Sequence, residues 1–180
     1  MNAVDSVTKF VLAHLFVEKR TIKKCIEFLL QIKTNCYNQI LAKYYIRKYS
    51  RGKKKERLVI FVCDKFANYK TAFNKLFYRV AELQFGVPIA CKKYNLEYNN
   101  NAVERYNGKT KDRIKNIRGG FGSFKFARDF MNLRRIIHNF VNPHQELKGK
   151  TPAEKAEIFI PLGRNKLLTL IEFIAYRGYH

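Results

Sequence analysis

Leu58-Val59-Ile60-Phe61-Val62-Cys63-Asp64 is the stretch on which the fold reading turns. Its first six residues are apolar without interruption, and a carboxylate follows at once. A strand covered on both faces has no reason to alternate, so the run predicts an interior strand. Its expected neighbours are a strand within residues 8–17 and a short one at 87–91. The neighbouring segments fit that frame. Val4 closes a short apolar piece, Asp5-Ser6 is a turn signal, and residues 8–17 are β-rich with partial alternation. Thr21 can cap a helix carrying Ile22, Cys25, Ile26, Leu29 and Leu30, and Ile40, Leu41, Tyr44 and Tyr45 could continue it. Residues 50–57 form a basic loop around Gly52. Tyr69, Ala72, Phe73, Leu76, Phe77 and Val80 mark a second helix. Phe126, Phe130, Leu133, Ile137 and Phe140 mark a later one, stopped at Asn142-Pro143. Residues 166–176 form a last apolar helix. Strands alternating with helices in this order predict an α/β fold, a mixed sheet flanked by helices.

Composition narrows the function. The 36 lysines and arginines against 14 acids give a net charge of +22, which attracts polyanions, nucleic acid first. Hydrophobic residues make up 47% of the chain, too many for a disordered basic tail. A length of 180 residues suits a domain with a real core. No apolar run reaches the about 18 residues of a membrane span, and no secretory signal pattern is present. Neither a membrane nor a small-molecule substrate is expected as a partner. Cys25, Cys36, Cys63 and Cys91 show no Cys-x-x-Cys spacing, which fits reduced core thiols in a cytoplasmic protein.

The chemistry centres on two carboxylates. Asp64 ends the apolar run, and Glu104 opens a basic helix in Asn100-Asn101-Ala102-Val103-Glu104-Arg105-Tyr106-Asn107-Gly108-Lys109. At helical spacing Glu104, Gly108, Lys111 and Lys115 share one face, while Val103, Ile114 and Ile117 share the other. Two hard oxygen ligands brought together would suit Mg²⁺. An acid at a helix N-terminus also complements the helix dipole, and an aspartate after a strand also serves a turn. Spacing alone leaves both readings open.

The words Asn100-Asn101-Ala102-Val103-Glu104-Arg105, Lys111-Asp112-Arg113-Ile114-Lys115 and Arg118-Gly119 stand in order along the chain. Asn139-Phe140-Val141-Asn142-Pro143-His144 and Leu147-Lys148-Gly149-Lys150-Thr151-Pro152-Ala153-Glu154 follow. Together they resemble the end of the catalytic domain of insertion-sequence DDE transposases, in the retroviral-integrase-like, ribonuclease H-like superfamily. Upstream, Val62-Cys63-Asp64 resembles the segment bearing that family's second Asp. Ala3-Val4-Asp5-Ser6-Val7-Thr8-Lys9-Phe10 and Arg20-Thr21 resemble its second strand, turn and third-strand end. The resemblance spans residues 1–158 as a catalytic domain and leaves 159–180 as an apolar helix and tail.

The resemblance implies a ribonuclease H-like fold and DNA transposition, by metal-dependent strand cleavage and strand transfer with Mg²⁺ or Mn²⁺. Asp64 and Glu104 would be catalytic and metal-binding. Lys109, Lys111, Arg113 and Lys115 would position the phosphates of element ends and target DNA. Lys53, Lys54 and Lys55 are either a solvated loop or a further phosphate contact. The first strand of the fold, with the first Asp, is expected to be missing. Asp5 matches the acid after the second strand rather than a ligand, and the basic stretch 33–57 is longer than the family carries. Self-association through an unpaired sheet edge is expected in consequence. A non-catalytic DNA-binding remnant, or a repressor of a full-length transposase, is the alternative. His144 is expected to serve structural hydrogen bonds, and His14 and His138 to lie in or beside the core.

Overall fold

The computed structural model describes residues 1–50, 57–85, 101–117 and 120–177. The fold is mixed α/β, with two small sheets of two strands each among the described residues. Two compact units share the chain: one takes Met1–Ala3 and Leu12–Gly108, the other Val4–Val11 and Lys109 onward.

The first unit is built on β1 (Asn2–Val4), β2 (Val11–His14), α1 (Ile22–Tyr49), β3 (Val59–Cys63), α2 (Ala67–Phe77), β4 (Ala81–Phe85) and the first half of α3 (Asn101–Lys115). Thr21 caps α1 as its side chain accepts from the Lys24 N–H at 3.3 Å. Cys25, Phe28, Leu29, Ile32 and Ile40 form the buried stripe of that helix. They meet Ala72, Phe73 and Phe77 of α2 and Ala81 of β4 in one core, where Phe61 of β3 lies 4.9 Å from Phe77 and 5.3 Å from Phe73 between ring centroids. Ile22 and Leu30, both expected on the packed face, are exposed. The helix needs only one stripe of contacts, and five buried positions supply it.

The central strand corrects the sequence reading. β3 pairs in parallel with β4, from Val59 opposite Ala81 to Cys63 opposite Phe85. The strand near 8–17 is not its neighbour, because β2 pairs with β1 in a separate sheet. The expected strand at 87–91 lies outside the described residues, as do Lys53, Lys54 and Lys55. All five residues of β3 are half-buried. An apolar run reports what side chains pack against, here the core helices, and is silent on which backbone pairs with it. β4 is hidden in the sequence because Val80 looks like the end of α2, although Ala81-Glu82-Leu83-Gln84 alternates at period two. The helix stops at Phe77, and Arg79 turns the chain with φ 65°.

The second unit carries the turn after β1, the rest of α3, α4 (Phe124–Ile136), α5 (Pro152–Lys155) and α6 (Lys166–Arg177). A π-helical segment, Ile137–Val141, extends α4 and ends at Asn142, before Pro143. Ala127 and Met131 are the buried residues of α4, while Phe126 and Leu133 are exposed, contrary to the aromatic stripe expected there. Close approach selects the small alanine and the pliable methionine. Within the π segment His138 and Asn139 are buried. The Asn139 side chain accepts from the Val11 N–H at 2.9 Å and donates to the Val11 carbonyl at 3.1 Å. One amide thus pairs with a strand backbone as a neighbouring strand would. Thr151 and Glu154 form a reciprocal capping box at α5, with Pro152 at the first helical position.

Candidate nucleic-acid and carboxylate site

Asp64 stands one residue past the carboxyl end of β3, where the chain leaves the strand for α2. In α/β units this is the end at which ligands bind. The carboxylate is exposed, and its Oδ2 accepts from Nη1 of Arg20 at 2.8 Å. Arg20 is held from several sides. Its guanidinium carbon sits 4.5 Å from the centre of the Phe66 ring, and its carbonyl accepts from Asn68 at 3.0 Å. The bond to Asp64 raises the arginine further above its already high range, so it stays a cation.

That cluster perturbs its neighbours. Burial pushes the Cys63 thiol up to about 11, with the Asp64 charge adding to it. Burial also raises the Tyr69 hydroxyl to about 12, helped by Cys25 and Asp64 and opposed by Arg20. Both groups stay protonated at neutral pH. Neither is a nucleophile or a base there.

Glu104 lies in the first turn of α3 and is exposed. The helix carries Glu104, Lys111 and Lys115 in solvent, as the helical spacing predicts, with Gly108 half-buried among them and Lys109 and Arg113 exposed as well. Its packed stripe is fuller than expected: Tyr106 and Thr110 are buried between half-buried Val103 and Ile114. Tyr106 is therefore a core ring rather than a platform for bases. Asn107, three residues beyond Glu104, accepts from Asn2 Nδ2 at 2.7 Å, and Asn2 in turn bonds the buried His14 ring. This chain of polar side chains fixes the glutamate-bearing turn to β1 and β2.

Lys109 approaches the His144 ring at 3.4 Å, and Lys115 lies 3.7 Å from Asp112. His144 organises its loop through backbone bonds, donating to the Lys150 carbonyl at 2.9 Å and accepting from Leu147 and Gly149. His138 and His14 are buried, as read from the sequence. Asp5 serves its own turn, where its Oδ2 accepts from both the N–H and the hydroxyl of Thr8, each at 2.6 Å.

Asp64 and Glu104 are oxygen donors of the kind Mg²⁺ and Mn²⁺ take. One oxygen of Asp64 is already engaged by a fixed guanidinium. Among the described residues no three His, Cys, Asp or Glu side chains gather in a way that could hold an ion. Arg20 carries no signal in the sequence beyond its place at a strand end, because nothing there tells that residues 20 and 64 meet. Among the described residues no helix is long and apolar enough to cross a membrane. No protein-family model, no curated protein and no solved structure matches this chain.

Proposed function

We propose that this chain works in DNA transposition, as part of the catalytic domain of an insertion-sequence DDE transposase with a ribonuclease H-like fold. The observation that carries the reading is an exposed Asp64 just beyond β3 of the β3–α2–β4 unit, on a chain of net charge +22. The resemblance of residues 99–158 to that family supplies the rest. Asp64 and Glu104 are the residues that would hold Mg²⁺ or Mn²⁺. The ion would neutralise charge on a DNA phosphodiester. Lys109, Lys111, Arg113 and Lys115 bind the phosphate backbone, and Arg20 orients the Asp64 carboxylate.

A second reading, a non-catalytic DNA-binding protein that competes with a complete transposase, is favoured by the Arg20–Asp64 pair. A carboxylate neutralised by arginine has less attraction left for a metal cation.

The test has two arms. Duplex binding is followed by fluorescence anisotropy from about 50 to 200 mM salt, where each phosphate-contacting lysine removed flattens the salt slope by about one. Lys111→Gln and Lys115→Gln should each do so, and a salt-indifferent affinity would refute DNA binding. Mn²⁺ binding is read by electron paramagnetic resonance on the parent, Asp64→Asn and Arg20→Gln. Binding lost in the first and strengthened in the second supports the carboxylate site. Mn²⁺ binding unchanged by Asp64→Asn rejects the site and leaves the second reading.

A further inference from the structure

The second half of α1 belongs to the basic stretch 33–57, which is longer than the family carries, and none of the roles above uses it. From Phe28 to Ser50 the sequence holds no acid and four cations, Lys33, Lys43, Arg47 and Lys48. Tyrosines interleave with them. Tyr45 is 47% exposed and Tyr49 68%, so neither ring belongs to the core. The two rings stack with 13° between their planes and 6.1 Å between centroids. Lys48 lies 5.4 Å from the Tyr49 ring and 6.0 Å from the Tyr44 ring, and Lys33 sits 4.6 Å from Tyr37. Arg47 is engaged elsewhere, donating to Glu82 of β4 at 2.9 Å, which anchors this end of the helix to the sheet.

Each feature has an ordinary explanation when taken alone. Aromatic pairs four apart on a helix stabilise it by about 0.2–0.5 kcal/mol, and lysines often lie over rings. Their combination on a solvent-facing helix end whose own sequence holds no acid is what single strands require. Cations follow the phosphates, and flat π-faces take the bases. A duplex keeps its base faces stacked inside and has no use for exposed tyrosine rings. An acidic protein would be met by the cations without them.

We propose that residues 41–49 of α1 bind an unpaired DNA strand, with bases stacked on Tyr45 and Tyr49 and phosphate held beside Lys48. The proposal uses none of the α3 cations, and it stands whether or not the chain is a transposase.

The experiment measures binding of the full chain to three fluorescein-labelled probes of equal length: an oligothymidine strand, a strand of abasic residues, and a duplex. Tyr45→Ala/Tyr49→Ala should weaken oligothymidine binding at least about fivefold, the low end for one lost stacking contact. It should leave the abasic strand and the duplex within about twofold of the parent. Tyr45→Phe/Tyr49→Phe, which keeps both faces, should bind like the parent. Lys48→Gln should weaken oligothymidine and abasic strands alike. The proposal is overturned if the double alanine variant binds oligothymidine as the parent does, or if it loses the abasic strand equally. Circular dichroism checks the fold, and the single variant Tyr49→Ala, at the more exposed ring, repeats the test should the double variant unfold.

Discussion

Replacing Asn139 by alanine removes the side chain that covers the Val11 backbone. Asn139 is 3% exposed and Val11 1%, so neither freed group regains bulk water. Two bonds are lost, at 2.9 and 3.1 Å. A buried polar group left unpaired costs about 1–3 kcal/mol, and two of them put the loss near 3 kcal/mol. For a chain of this size that is a fall in Tm of about 6–12 °C. The shift is read by circular dichroism on heating. Asn139→Asp sharpens the test. The carboxylate still accepts from the Val11 N–H but faces the Val11 carbonyl with no proton to give. Its folded pKa must rise above the unfolded value of about 3.9. The deficit relative to the parent is then full at neutral pH and shrinks as pH falls through the raised folded pKa, when the neutral acid donates to the carbonyl. A loss under about 0.5 kcal/mol for Asn139→Ala, or a deficit in Asn139→Asp that grows on acidification, would refute the reasoning.

Gly108 stands inside α3 with nothing within 4 Å of where a Cβ would lie, so Gly108→Ala should stabilise the protein by about 0.5–1 kcal/mol, read as a higher urea midpoint. Thr151→Ala breaks the capping box at a residue 1% exposed and should cost about 1 kcal/mol or more, while Thr151→Ser should recover most of it in the same assay. Burial holds the His138 pKa below its ordinary value, with the cations of His144, Lys109 and Arg134 lowering it and the Lys9 carbonyl partly offsetting them. Unfolding therefore takes up a proton. The stability this group contributes is full above about pH 6.5 and is lost as pH falls from there toward the folded pKa. Urea midpoints at pH 7.5 and 5.5 should converge in His138→Gln relative to the parent, and an unchanged gap would count against a neutral buried imidazole.

How much of this is legible in the sequence differs by element. Thr21 announces its helix because a cap is a local device, complete within four residues. The exposed ridge of α3 follows from spacing for the same reason. Statements about partners far along the chain fail. The apolar run 58–63 cannot say that β4 rather than β2 pairs with it, since side-chain polarity carries no address for backbone hydrogen bonds. Phe126 and Leu133 read as core because an apolar residue suggests burial, although α4 presents more apolar positions than its packed face can hold. Arg20 and Asp64 look unrelated because their meeting depends on how α1 and β3 are set side by side. Asn139 gives the strongest hint of a distant contact: a lone amide among Ile136, Ile137, Phe140 and Val141 must find partners or stay in water.

The bond between Val11 and Asn139 joins residues 128 positions apart. A ribosome delivers the chain from its N-terminus, so Val11 emerges long before the amide that will cover it. At about 5–20 residues per second that interval is roughly 6–25 s. Through it the turn between β1 and β2, with Val11 at the start of β2, lacks its cover, in a nascent chain that is already strongly basic. Chains arrested on the ribosome before residue 139 should be cut by protease within residues 4–11, and chains arrested well past 177 should resist. Equal protection in both would show that the early segment finds shelter without its distant partner.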